Sequence, residues 1–282
     1  MDKLFYTPEE MVDNYIASGE KKARLPLPQM ILLGILAGAC IAIGGAVSNV
    51  AVHGVTDVGL ARMLAGVVFP VGLMLVVITG AELFTGNSLM IMTQISGRAK
   101  WYAVCRNLIV VYFSNFIGAL IVDYLVFMSG QLDYSGGGLG AYTIKVAVAK
   151  SSMAPQKAVA SGILCNVLVC LAILASCAAK DITGKIWGVF FPIFTFVTAG
   201  FEHCVANMFY IPEGMMAAQN KYYVALADKL YGITPQQTAS LYSASTAQSF
   251  IFVTLGNLIG GMLCVGVLFY AIYKTSWKKL NK

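Results

Sequence analysis

Six stretches of the chain, near residues 27–50, 63–95, 107–130, 157–179, 186–218 and 248–273, are apolar and long enough to cross a lipid bilayer. Nothing else in the sequence constrains the fold as strongly. In hydrocarbon every backbone N–H and C=O must bond internally, so runs of this length are expected as helices. Composition supports this, because only 11% of the 282 residues are charged. That is less than half of the roughly 25% of a soluble domain. The first 26 residues are polar and mixed in charge, with no apolar core and no small-residue cleavage site, so no cleavable signal is expected. The seven cysteines lie mostly in apolar stretches without a CxxC pair and read as small buried residues. The expected organisation is an N-terminal segment (1–26), one six-helix membrane domain (27–274) and a short tail (275–282), an all-α membrane protein.

Basic residues orient these crossings. With six spans, the termini share a side with the connections between spans 2 and 3 and spans 4 and 5, and that side carries thirteen Lys and Arg. The other side keeps six: Arg62, Lys145, Lys150, Lys157, Lys221 and Lys229. The excess places both termini in the cytoplasm. The formal charge of +6 thus reads as membrane topology, and no nucleic-acid partner is expected. Residues 131–156 and 219–247 become the large external loops. The first carries the flexible run Ser135-Gly136-Gly137-Gly138, and the second a short helix ending before Thr234-Pro235. Residues 8–22 space Met11, Val12, Tyr15 and Ile16 on one helical face, which suits an amphipathic helix under the cytoplasmic mouth. It serves either as an interfacial anchor or as a gate.

Internal similarity carries the functional information. Gly80-Ala81-Glu82-Leu83-Phe84-Thr85-Gly86-Asn87 and Gly200-Phe201-Glu202-His203-Cys204-Val205-Ala206-Asn207 share the pattern G-x-E-x-x-x-[GA]-N, 120 residues apart. Asn115-Phe116-Ile117-Gly118 is matched by Asn257-Leu258-Ile259-Gly260, and Gly34-Ile35-Leu36 by Gly162-Ile163-Leu164. The matches run in one order, giving two three-helix repeats (about 27–130 and 157–274). An odd number of spans per repeat inverts the second in the membrane, and broken helices 2 and 5 then place a pathway near the midplane.

A carboxylate at membrane depth costs several kcal/mol unless paired. Glu82 and Glu202 sit beside glycines where a helix can unwind, so accepting the freed backbone N–H groups is their expected structural role. Ion coordination or proton relay is the alternative. Asn87 and Asn207 belong to the same breaks. His203 falls in the second break opposite the Thr85 hydroxyl, either as a satisfied core residue or as a pore residue. Lys150 is an interfacial lysine or a vestibule residue, and Asn166 faces the pore or bonds another helix. No metal or cofactor is expected, since neither a second histidine nor a CxxC accompanies His203.

The stretches AELFTGNS (81–88), AGFEHCVANMFYIPEG (199–214) and GNLIGG (256–261) resemble the signatures of the formate/nitrite transporter family, and the likeness extends over essentially the whole chain. The resemblance implies an aquaporin-like protomer in a homopentamer, one pore per subunit, in the cytoplasmic membrane of a prokaryote. It implies passage of a small monovalent anion: formate, nitrite or hydrosulfide. By motif, Leu83, Phe84 and Thr85 belong to the first break and Glu202 and His203 to the second. Phe69, Leu73 and Phe196 match apolar residues flanking a central chamber, Asn166 a pore-facing amide and Lys150 a vestibule lysine. The expected mechanism is transient protonation of the anion at His203, which supplies a proton or a strong hydrogen bond between apolar constrictions. An aquaporin-type neutral-solute channel is the runner-up, although neither Asn87 nor Asn207 is followed by proline. An intramembrane enzyme would need a paired constellation, and Asp123 stands single in the sequence. A sensor would need an output domain.

Overall fold

The structure, a computed structural model, describes residues 4–275. Lys3 and the tail residues Lys278, Lys279 and Lys282, part of the basic excess counted above, lie outside it. Helix α1 (Pro8–Ala23) leads into α2 (Leu27–Val52). The second segment is α3 (Val58–Val68), α4 (Val71–Thr79), α5 (Phe84–Asn87) and α6 (Met90–Ile95), followed by α7 (Trp101–Met128). The second half runs through α8 (Tyr134–Ser151), α9 (Pro155–Ala178), α10 (Ile182–Ala199), α11 (Cys204–Ala217), α12 (Lys221–Tyr231), α13 (Pro235–Ala239), α14 (Ala244–Leu258) and α15 (Leu268–Lys274). Six helical stretches among the described residues have the length and hydropathy to span a membrane: Leu27–Val52, Val58–Thr79, Trp101–Met128, Pro155–Ala178, Ile182–Ala199 and Ala244–Lys274.

Helices 2 and 5 are broken in the same way. Gly80 (φ 71°) ends α4 and Gly200 (φ 76°) ends α10 in the left-handed region, where only glycine is free of a Cβ penalty. The next amide of each break closes the helix end, Ala81 N–H on the Val76 carbonyl and Phe201 N–H on the Phe196 carbonyl, both at 3.0 Å. The chain then runs extended to Leu83 and His203, which occupy the N-cap positions of α5 and α11. The first segment carries a further bend at Phe69-Pro70 and begins at Val58, five residues earlier than its apolar pattern suggests. There the Asp57 side chain caps α3 by accepting from Leu60 N–H at 2.7 Å. Span 6 passes through a π-helical stretch, Ile259–Val267, where Gly261 lies against Ser88 so closely that a Cβ would sit 1.9 Å from its Oγ.

Residues 131–156 are not a loop. Ser135, Gly136 and Gly137 take positive φ and make a tight left-handed turn at the start of α8. The helix then buries Leu139, Ile144, Ala147 and Val148 against Tyr223, Ala227 and Ala217. Glycine freedom reads as flexibility in sequence but serves here as a turn, and Lys145 and Lys150 interrupt the apolar spacing that would have shown the helix. The helix α12 stands where the short external helix was expected, ending at Gly232 before Thr234 caps α13.

Helix α1 has the expected apolar face, opened by a Thr7/Glu10 capping box. Met11, Val12, Tyr15 and Ile16 are buried against Leu89, Met92, Cys170, Leu174 and Val265, a protein core and not a lipid surface. Its place in the architecture mirrors that of α8. Gly34 and Gly162, Lys22 and Lys150, and the helix ends Ala23 and Ser151 are each separated by 128 residues. Each three-span repeat is thus preceded by a packed lead-in helix, outside the bounds that the apolar pattern gave.

Candidate functional site

The two breaks are held by the same hydrogen bonds. Asn115 Oδ1 accepts from Phe84 N–H at 2.9 Å, and its Nδ2 donates to the carbonyls of Gly34 (2.8 Å) and Glu82 (2.9 Å). Asn257 Oδ1 accepts from Cys204 N–H at 2.8 Å, and its Nδ2 donates to the carbonyls of Gly162 (2.8 Å) and Glu202 (3.0 Å). Each asparagine satisfies two backbone groups left open by the unwound segment and ties them to a carbonyl of the neighbouring helix, α2 or α9, and both are fully buried.

The glutamates do not accept the freed backbone N–H groups, contrary to expectation. They are ion-paired. Lys22 Nζ lies 2.5 Å from Glu82 Oε1 and donates to Asn87 Oδ1 at 3.0 Å. Glu82 Oε2 accepts from Asn87 (2.7 Å) and Asn107 (3.1 Å). In the second half Lys150 Nζ donates to Glu202 Oε1 (2.9 Å) and Oε2 (3.1 Å), and Asn207 donates to Oε2 at 2.7 Å. The asparagines take the backbone role because a neutral amide offers donor and acceptor together, whereas a carboxylate only accepts. The carboxylates are left to the lysines, whose side chains remain 19% and 17% exposed. Those ammonium groups face two cavities.

The first cavity, about 650 Å³, is lined by Lys22, Glu82, Leu83 and Asn87 together with Lys21 and Lys185. The second, about 410 Å³, is lined by Lys150, Glu202, His203, Phe69, Phe196 and Arg62 among others. Between them stands a wall of buried side chains. Phe69 packs edge-on to Phe196 (centroids 5.8 Å apart), and Phe196 stacks on the His203 ring at 5.9 Å. His203 Nε2 is 2.9 Å from Thr85 Oγ1, so the histidine and the hydroxyl from opposite breaks meet.

The protonation pattern of this histidine follows from its partners. Ala206 N–H donates to His203 Nδ1 at 3.0 Å, capping α11. With Nδ1 an acceptor, the neutral ring carries its proton on Nε2, directed to Thr85 Oγ1. A second proton would have to displace the helix cap.

Leu73, Phe84, Thr85 and Asn166 are buried in or behind the wall and line neither cavity. Phe84 turns toward Tyr112, with ring centroids 4.9 Å apart. Asn166 bonds other elements: its Nδ2 donates to the carbonyls of Asn257 (2.6 Å) and Thr85 (3.2 Å) and to Ser88 Oγ (3.2 Å). Its Oδ1 is buried without a partner.

Three features escaped the sequence reading. Lys22 reads in the sequence only as a topology charge; the signal for it is the need of each buried glutamate for one cation, at one register in both halves. Tyr15 OH donates to the Gly86 carbonyl at 2.9 Å and ties α1 to the first break. Asp123 is not single: it lies within electrostatic reach of Glu213 on α11, and all four carboxylate oxygens are buried without hydrogen bonds. Their separation in sequence gives no hint of it.

A family model described as "Formate/nitrite transporter" matches residues 9–271. The chain is 38% identical to a "Probable formate transporter" of Methanothermobacter thermautotrophicus, over 97% of this chain and 99% of that one. It is 35% identical to "Formate channel FocA" of Haemophilus influenzae, over 98% and 97%. Among solved structures it matches "Pentameric formate channel with formate bound" with a TM-score of 0.78 and 36% identity, covering 88% of this chain and 98% of that one. A second, "FNT family ion channel", matches in fold with a TM-score of 0.79 at 24% identity, over 94% and 98%. With six membrane-crossing helices, two inverted repeats and matched breaks, this multi-pass membrane protein belongs to the formate/nitrite transporter family.

Proposed function

We propose that the protein is a channel and not an enzyme, passing small monovalent anions of the formate, nitrite and hydrosulfide class across the cytoplasmic membrane of a prokaryote. It works as a homopentamer with one pore per subunit and both termini in the cytoplasm. One observation carries the reading: two lysine-bearing cavities face each other across an aromatic wall in which His203 meets Thr85. Cations outside and a dry wall between them suit an anion that is gathered as a charge and crosses as a neutral species.

Energetics support that order. Carrying a bare anion into an apolar constriction incurs an idealised penalty on the order of tens of kcal/mol. Protonating a carboxylate with a pKa of about 4 at neutral pH costs only ~4 kcal/mol. The neutral route is the cheaper by far. Lys150 and Lys22 draw the anion into the cavities. The proton comes from cavity water, since His203 holds a single proton on Nε2 and its Nδ1 is engaged by the helix cap. His203 therefore acts as a hydrogen-bond donor to the arriving acid, replacing its bond to Thr85. Leu73, Leu83, Phe69 and Phe196 exclude the charged form, and Asn166 holds the Thr85 carbonyl and with it the hydroxyl's position.

Light-scattering of proteoliposomes under inward gradients of formate, nitrite, hydrosulfide and chloride tests the reading. Swelling with the three protonatable anions and not with chloride is expected. Water permeability without anion flux would replace it with the aquaporin-type alternative.

A further inference from the structure

Three cationic side chains line the second cavity near His203, and their engagements differ. Lys150 is held by Glu202. Lys145 sits over the rings of Tyr142 and Tyr231, at 5.4 and 4.6 Å from their centroids. Arg62, on α3, is exposed to the cavity, and among the described residues it forms no ion pair or hydrogen bond. Its guanidinium lies against the bare backbone of Gly200, where a Cβ would come within 2.5 Å of Nη1 and 3.0 Å of Cζ. The glycine that breaks helix 5 thus also makes room for the arginine beside the break that carries His203.

A guanidinium differs from an ammonium in shape. It offers two parallel N–H groups in one plane, a fork that fits the two oxygens of a planar oxyanion. An anion with a single acceptor atom, such as the sulfur of hydrosulfide, cannot engage both prongs of the fork. We infer that Arg62 forms a capture site in the second cavity for planar two-oxygen anions, carboxylates and nitrite, and biases the pore toward them over hydrosulfide. This inference rests on the anion-channel reading and assigns a selectivity to one of its cavities. The position of the second repeat that corresponds in register to Arg62 is Ile182, so the site belongs to one face of the membrane.

The test compares the wild type with Arg62→Lys, which keeps the charge and loses the fork, and Arg62→Gln, which loses both. Half-saturating concentrations for formate, nitrite and hydrosulfide are measured in proteoliposomes, with stability in detergent checked for each variant. Arg62→Lys is expected to raise the formate and nitrite values about fivefold, from the loss of a bidentate charge-assisted pair, and to leave hydrosulfide unchanged. Arg62→Gln is expected to weaken all three anions. Equal shifts for the three anions in Arg62→Lys, or none, would overturn the capture site while leaving the channel intact. A wild type that passes none of them would refute the channel reading, and the site with it.

Discussion

The two halves of the molecule share a scaffold and differ at the residue that opens the half-helix of each break. Both breaks have a left-handed glycine, an asparagine bridging three backbone groups and a lysine–glutamate–asparagine cluster. At the N-cap of the following half-helix, however, the first repeat has Leu83 and the second has His203. Leu83 has no side-chain cap, whereas His203 caps its own helix and still presents Nε2–H to the opposite break. Duplication thus supplies the frame, and a departure from it supplies the polar centre.

Perturbing the shared parts should hurt both halves alike. Asn115→Ala and Asn257→Ala each strip partners from two buried backbone groups of a break, at about 1–3 kcal/mol per group. Each should lower stability by at least about 2 kcal/mol in thermal unfolding in detergent, and a wide gap between them would break the equivalence. Lys22→Met and Lys150→Met leave a buried carboxylate without its cation, with an expected loss of about 3–5 kcal/mol each. Pairing each with Glu82→Gln or Glu202→Gln should recover most of the stability while anion uptake stays low.

Smaller effects should separate the halves. The Asp123–Glu213 pair, with Asp123 on α7 of the first half and Glu213 on α11 of the second, lies outside the contacts that the two breaks share. Replacing both by Asn and Gln removes two unpartnered buried carboxyl groups and should leave the fold intact or raise stability by about 1 kcal/mol. Thr85→Val removes a hydroxyl that touches His203 and none of the shared scaffold. Unfolding should hardly change, and formate flux should fall about threefold, the weight of less than one net hydrogen bond.

Much of this frame was legible in the chain. Period and length revealed the six spans, and the repeated G-x-E-x-x-x-[GA]-N revealed the breaks. The facing of His203 and Thr85 also followed from one break lying in each inverted half. What failed did so for physical reasons. Residues 134–151 read as loop because a glycine-rich left-handed turn and two lysines mask a buried helical face. The glutamates read as acceptors of the backbone N–H groups because a carboxylate beside an unwound turn needs donors. Sequence does not show that Asn115 and Asn257, 30-odd and 50-odd residues away, reach those amides first. Lys22 and Arg62 looked like surface charge, since nothing local distinguishes a loop cation from one aimed into a cavity.

In the proposed function, the histidine that replaces leucine in the second break lets the wall pass an acid. This role is tested most directly by formate-driven swelling of proteoliposomes carrying His203→Phe, measured against pH beside the wild type. Wild-type flux is expected to rise on acidification, as more of the anion is neutralised, and the variant to be about tenfold slower at every pH, the weight of one buried hydrogen bond. A variant as fast as the wild type at neutral pH would contradict it.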